Sequence, residues 1–311
     1  MRRMDPRLAA VLARVPLLSG REGLSAERLG GLTNENYLVR ADAERFVLRL
    51  AGGNSERLGI DRRAEAAALR AAWAAGLGPE PLAFLEPEGH LLTRFVEGRF
   101  LEAEEYRRPE TIRLLAETAR RVHALPPNGA RFSPFRRIER FLAAAREAGV
   151  EPPEELGPAI RAQALVEREE LGDPSDWRGL CHNDLSSVNW LYVKAEGGIR
   201  VLDWEFAGTG DVYYDLASPV YAHDSEGPIP PELEEELLAA YFGEATPGRR
   251  RRLLGMKLAL NLFTVSWALA QEGALARGLI PAPKGFEYLG FARWLLAHEV
   301  RLLRAAVAEE T

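Results

Sequence analysis

Three polar residues stand close together in "GLCHNDLSSVNWLY" (179–192): His182, Asp184 and Asn189, with apolar residues on either side. An Asp on a loop can accept the proton of an attacking hydroxyl, or orient it. An Asn five positions on can offer its side-chain carbonyl to a hard cation such as Mg²⁺. A second stretch, "VLDWEFAGTG" (201–210), ends an apolar run on Asp203 and Glu205. A carboxylate at the end of a buried strand is held stiffly. Phosphoryl transfer needs this combination, because charge spreads over the transferring oxygens and a metal ion must neutralise it. With 5 His in 311 residues, and the Asp and Asn contents of this chain, His-x-Asp-x4-Asn is expected by chance about 0.004 times. The structural alternative is that Asp184 and Asn189 cap a turn and Asp203 caps a helix. The pairing of the two motifs favours the chemistry.

Such residues need a scaffold, and the patterning predicts an α+β one. Residues 1–95 read as a small mixed domain. Leu24–Leu29, Tyr37–Ala41 and Arg45–Leu50 alternate as strands. "DRRAEAAALRAAWAAGLG" reads as a helix stopped by Gly76 and Gly78, and Leu82–Leu85 with His90–Phe95 as a hairpin. Residues 96–311 read as mainly helical: a helix from Pro109, then Ile138–Ala148, Glu154–Leu171, Glu232–Phe242, Arg249–Glu272 and Tyr288–Ala308. One hairpin, Leu191–Val193 with Ile199–Leu202, interrupts them.

Composition narrows the function classes. The net charge is −6 and the basic residues are dispersed, which argues against nucleic-acid binding. The single cysteine, Cys181, points to a reducing compartment. The N-terminus reads as a short helix rather than a signal peptide. No run of about 18 apolar residues is apparent, so no membrane span is expected. The expectation is a cytoplasmic protein.

The two motifs resemble those of the protein-kinase-like superfamily. "HNDLSSVN" resembles its catalytic loop, and "LDWEFA" its metal-binding segment. The form "CHNDL" with "DWEFA…YYDLA" is similar to the branch of aminoglycoside phosphotransferases and choline and ethanolamine kinases, nearest the latter. The resemblance implies a bilobal fold. It gives an N-lobe of antiparallel sheet plus one helix over 1–95, and a larger helical C-lobe over 96–311. It implies ATP and Mg²⁺, with Asp184 as the catalytic base and Asn189 and Asp203 as metal ligands. His182 and Asp215 would be structural. Glu205 would either reach a second metal through water or brace Asp203. "GGLTNEN" resembles the phosphate-covering turn, assigning Gly30, Gly31, Thr33, Asn34 and Asn36 to the nucleotide phosphates. "TRFVEG" resembles the hinge, with Phe95 and Val96 meeting adenine. No Lys precedes Lys194, so Arg49 must replace the usual strand lysine, partnered by Glu65. Arg can grip phosphate bidentately.

The same resemblance implies that the partner is a small-molecule hydroxyl acceptor, such as choline or ethanolamine. Trp267, Tyr288 and Phe291 match aromatic positions that enclose a quaternary ammonium. Thr264 stands where the first of two paired tryptophans is expected. Ala222 stands in place of an acidic residue, with Asp224 two positions on. Thiamine and aminoglycoside acceptors stay open, as does a nucleotide-binding module without turnover.

Overall fold

The computed structural model describes residues 5–30, 34–52, 55–169, 178–221, 228–280, 282–283, 285–301, 303–304 and 306. Helix α1 (Pro6–Ala13) starts on Asp5, whose carboxylate accepts from the Arg7 N–H at 2.8 Å. Leu8 and Leu12, one turn apart, bury its inner face. Strands β1 (Ser25–Gly30), β2 (Glu35–Ala41) and β3 (Glu44–Leu50) follow. After the short α2 (Ser55–Leu58) come α3 (Arg62–Ala74), β4 (Pro81–Leu85) and β5 (His90–Arg94). The five strands form one antiparallel sheet in the order β1-β2-β3-β5-β4. Its register sets Asn36 and Leu91 on either side of Arg49. Helix α3 begins where the Asp61 carboxylate accepts from the N–H groups of Arg63 and Ala64, both at 3.0 Å. It ends at Gly76, whose φ of 71° is natural for glycine, with Leu77 N donating back to Ala72 O at 2.7 Å.

Beyond the sheet, β6 (Arg99–Phe100) leads to α4 (Pro109–His123), α5 (Pro134–Glu147) and α6 (Leu156–Glu169). Four short strands come next: β7 (Arg178–Cys181), β8 (Trp190–Val193), β9 (Gly198–Val201) and β10 (Gly208–Asp211). Then come α7 (Val212–Ala217), α8 (Pro231–Phe242), α9 (Pro247–Ala276) and α10 (Tyr288–Leu295), which passes into a π-helical turn at Leu296–Val300. The hairpin β8–β9 takes β6 as a third strand, and β7 pairs antiparallel with β10. This is the mixed, protein-kinase-like architecture expected.

Helix α9 is the spine of the larger lobe and packs against α5, α6, α7, α8 and α10. An 18-residue window within it has mean hydropathy 1.5, enough by length and composition to cross a membrane, but 67% of that window is buried inside the fold. Its apolarity is that of a core helix. A continuous core runs from Ala68, Leu69 and Ala72 of α3 into Leu258, Leu262 and Val265 of α9. A separate cluster, including Leu12, Val39, Phe46 and Leu48, fills the space between α1 and the sheet. The pair β7–β10 and helix α7 escaped the sequence reading. "GTGD" holds one strand-forming side chain, Thr209, between two glycines and an aspartate, and pairing with β7 makes it a strand.

Gly179 of β7 lies against the end of α4. A Cβ there would stand 2.9 Å from His123 O and 3.1 Å from His123 Cβ. Gly179→Ala is therefore expected to cost about 1–3 kcal/mol in urea unfolding. A loss within ~0.5 kcal/mol would show that α4 and β7 separate freely.

Candidate active site

The loop between β7 and β8 hangs on one buried carboxylate. Asp215 of α7 accepts from His182 N at 2.7 Å and Asn183 N at 2.6 Å, and meets His123 Nε2 at 3.0 Å. Asn183 sits at φ 65°, a left-handed conformation that Asn tolerates, and its amide donates to Phe206 O at 2.9 Å. His182 is fully buried, and burial holds its pKa below the usual value. Its Nε2 lies 2.8 Å from Leu202 O, so Nε2 carries the proton. Nδ1 is then free to accept from Asp184 N at 3.3 Å. Asn189 closes the loop, its amide donating to both Asp184 O (2.8 Å) and Asp184 Oδ2 (2.9 Å). That leaves the Asn189 carbonyl as its remaining ligand atom.

The second segment is tied to the first. Leu202 N donates to Asn189 O at 3.0 Å, and the Trp204 ring packs edge-on to His182 at 4.9 Å. Asp203 follows β9 with φ 57°, a left-handed backbone that turns the chain sharply. Asp203 opens onto the cleft, yet surrounding protein limits its hydration. That desolvation, with the charges of Glu205, Glu65 and Asp184, pushes its carboxyl well above the ordinary range, against the pull of Arg49. Asp184 is half-buried, and burial raises it to about 7, with Glu205 and Asp215 adding to the rise while hydrogen bonds from Ser186 and Asn189 oppose it. Crowded carboxylates beside a free amide carbonyl form a hard-oxygen donor set that suits a divalent cation.

The N-lobe presents a buried ionic network to this segment. Arg49 is bound to Glu65, and its second terminal nitrogen donates to Gly89 O at 2.9 Å. Its Nε is buried and unpartnered. Glu205 is buried too; its Oε2 accepts from Asn34 Nδ2 at 2.8 Å and Arg62 at 2.9 Å. Glu205 is thus held by N-lobe side chains. Arg62 escaped the sequence reading, although its place three residues before Glu65 put both on one helix face.

A cleft of about 1030 Å³ runs between the lobes. Gly30, Asn34, Asn36, Arg49, Glu65, Phe95 and Val96 line its N-lobe side, and Asp184, Asn189, Asp203 and Glu205 its floor. Gly31 and Thr33 lie outside the described residues. Phe95 N donates to Arg45 O at 3.0 Å, and Phe95 and Val96 both line the cleft. At the far end Trp267 and Phe291 line the wall. Tyr288 does not. It is 2% exposed and packs edge-on behind Trp267 (5.5 Å) and Phe286 (5.3 Å). The rings that do join the wall are Phe286, Trp294 and Tyr221, with Glu299 beside them. Asp224 and Ala222 lie outside the described residues. Thr264 lines the cleft, but its hydroxyl donates back to Leu260 O at 3.0 Å.

Residues 26–253 match the model of the phosphotransferase enzyme family. The chain belongs to that family. Human ethanolamine kinase 2 is 25% identical over 271 residues, covering 78% of this chain and 68% of the relative. Probable choline kinase 1 of Arabidopsis thaliana is 26% identical over 240 residues, covering 74% and 67%. The chain spans from 50% to 72% of the length of the curated relatives it matches. Among solved structures, a choline/ethanolamine kinase family protein from Mesorhizobium loti aligns with TM-score 0.73 at 29% identity, covering 97% of this chain and 98% of that one. Plasmodium vivax ethanolamine kinase has the same fold, with TM-score 0.73 at 16% identity over 93% and 85%.

In this phosphotransferase the Arg49–Glu65 pair is buried, at 7% and 2% side-chain exposure. Removing the acid leaves two guanidinium groups, those of Arg49 and Arg62, short of countercharge. Glu65→Gln should lower the stability of the ligand-free protein by roughly 3–5 kcal/mol in denaturant titration. A loss under ~1 kcal/mol is the behaviour of a solvated pair and would refute the burial argument.

Proposed function

We propose that the protein transfers the γ-phosphoryl group of ATP, with Mg²⁺, to the hydroxyl of a small amino alcohol such as choline or ethanolamine. One observation carries this reading. Asp184 lies on the floor of a single cleft that has the unpartnered Nε of Arg49 at one end and the aromatic wall of Trp267 and Phe291 at the other. The choline and ethanolamine kinases among the relatives and structural neighbours support the choice of acceptor.

Asp184 would accept the acceptor's hydroxyl proton as its oxygen bonds to the γ-phosphorus. The bond to the β-phosphate oxygen breaks, and ADP leaves. Asn189 would fix the Asp184 carboxylate through its amide and turn its carbonyl to the cation, with Asp203 as the carboxylate ligand. A bound Mg²⁺ supplies charge neutralisation at the phosphate oxygens. Arg49, held by Glu65, would meet the phosphates. The Trp267 and Phe291 rings suit an ammonium group through cation–π attraction. The network around Glu205 supports the bracing role and leaves its Oε2 with two partners already.

The first experiment is Mg²⁺-dependent ATP consumption against choline, ethanolamine, thiamine, simple sugars and kanamycin. Turnover with an amino alcohol is expected, and turnover only with kanamycin would overturn the acceptor assignment. Asp184→Asn should reduce kcat by about 10²–10⁴ while Mg·ATP still binds, since proton transfer by a positioned base contributes on that order. Asp203→Ala should instead weaken Mg·ATP binding, read by calorimetry. Near-normal turnover of Asp184→Asn would remove that residue from the chemistry.

The pH dependence follows from Asp184, raised by burial to about 7. Below that pH the carboxyl is protonated and cannot accept the hydroxyl proton. kcat/KM should rise by up to about tenfold per pH unit below that region and then level, and raising Mg²⁺ should move the rise to lower pH, because a nearby cation favours the carboxylate. A flat profile from pH 5.5 to 8 would contradict Asp184 as the base.

A further inference from the structure

Arg62 has no role in the reading above and does not line the cleft, yet its side chain makes five hydrogen bonds, three of them to residues that do line it: Asn34, Glu65 and Glu205. A guanidinium has five N–H donors. Arg62 uses each: Nε to Ser55 Oγ (3.0 Å), one terminal nitrogen to Glu65 Oε2 (3.0 Å) and Glu205 Oε2 (2.9 Å), the other to Asn34 Oδ1 (2.9 Å) and Ser55 Oγ (2.8 Å). Its side chain is 9% exposed. Arg49, by contrast, keeps a buried Nε with no partner. One arginine has donor capacity to spare for a ligand, and the other is committed to the protein.

What Arg62 joins gives it a purpose. Asn34 directly follows the "GGLT" turn and also accepts from Gly52 N at 3.3 Å. Glu205 follows Asp203 by two residues. Asn34 and Arg62 both donate to the same oxygen of Glu205, and Arg62 also donates to Asn34. The three side chains close a triangle, so none can shift without straining the other two. A fourth contact, to Glu65, extends the triangle to the partner of Arg49.

We infer that Arg62 is a positioning residue that couples the phosphate-covering turn to the metal-binding segment, making nucleotide and cation binding interdependent. This rests on the nucleotide and Mg²⁺ roles proposed above. A phosphate that settles Asn34 also settles Glu205 beside the cation ligands. A cation that draws on the Asp203–Glu205 segment pulls, through Arg62, on the turn. Such coupling is reciprocal, and single couplings between sites commonly amount to 5–150-fold in affinity.

The test is ADP affinity by calorimetry on the full chain, with and without Mg²⁺. In the wild type Mg²⁺ should tighten ADP binding. In Arg62→Met that enhancement should fall about fivefold or more, with ADP-alone affinity changed less. Arg62→Lys, which keeps the charge but not the fork, should recover part of it. Asn34→Ala, which removes the bonds of Asn34 to Arg62, Glu205 and Gly52 while leaving Arg62 bound to Glu205, should lower the enhancement too and serves if Arg62→Met fails to fold. The double variant should be no worse than Arg62→Met. Thermal unfolding without ligand separates the alternatives. Folded Arg62→Met and Asn34→Ala with lowered stability but wild-type Mg²⁺ enhancement would overturn the coupling and leave Arg62 merely structural. Wild-type protein that binds ADP in neither condition would instead overturn the nucleotide reading itself.

Discussion

The structure depends on one buried meeting of charges. Two guanidinium groups, Arg49 and Arg62, and two carboxylates, Glu65 and Glu205, lie together at the boundary of the lobes, each nearly sealed from water. Taking four charges out of water is expensive, and their mutual attraction rarely yields net stability over a well-packed apolar alternative. What such a network gives is uniqueness. Arg49 comes from a strand, Arg62 and Glu65 from α3, and Glu205 from a loop far along the chain. Only one relative placement of these elements satisfies all four. The apolar core that runs from α3 into α9 supplies the stability, and the ionic network supplies the register.

A second hub works on the same principle with a single charge. Asp215 takes two adjacent backbone N–H groups, and so fixes the turn on which Asp184 is carried. His182 transmits that order sideways, bonding the backbone beside Asp203 through one nitrogen and the amide of Asp184 through the other. The loop and the metal segment are therefore built as one piece. Left-handed Asn183 and Asp203 are the conformational cost of turning both chains toward the same space.

These features were unequally legible in the sequence. Asp184, Asn189 and Asp203, which the fold brings to one cleft, stood out in the sequence because phosphoryl-transfer chemistry would demand fixed residue types at short spacing. Arg49 was found by elimination, since no lysine was there to take the place. The strands and helices of the N-lobe were read to within a few residues because period and caps agree locally, as at Asp61 and Gly76. Arg62 was missed because its role exists only once residues 34, 62 and 205 meet. Tyr288 was misplaced for a related reason: helical spacing marks an aromatic as inward-facing but does not tell core from cavity. The strand β10 has no local signal at all.

The charge balance of the cleft explains why its parts belong together. Glu65 and Glu205 are answered by Arg49 and Arg62. Among the described residues Asp184 and Asp203 have no arginine bound to them, and desolvation, with the neighbouring carboxylates adding to it, raises both carboxyls. A bare polyphosphate entering this space would meet uncompensated negative charge on the floor, with Arg49 keeping one unpartnered N–H on the N-lobe side. A bare cation meets these carboxylates and the Asn189 carbonyl, and would fill the rest of its shell with water. Each completes what the other lacks: the cation cancels the floor, and the phosphate oxygens complete the cation's coordination. On the proposed reading a metal–nucleotide pair would suit this cleft better than either partner alone, and that preference would follow from which groups the fold has left without partners.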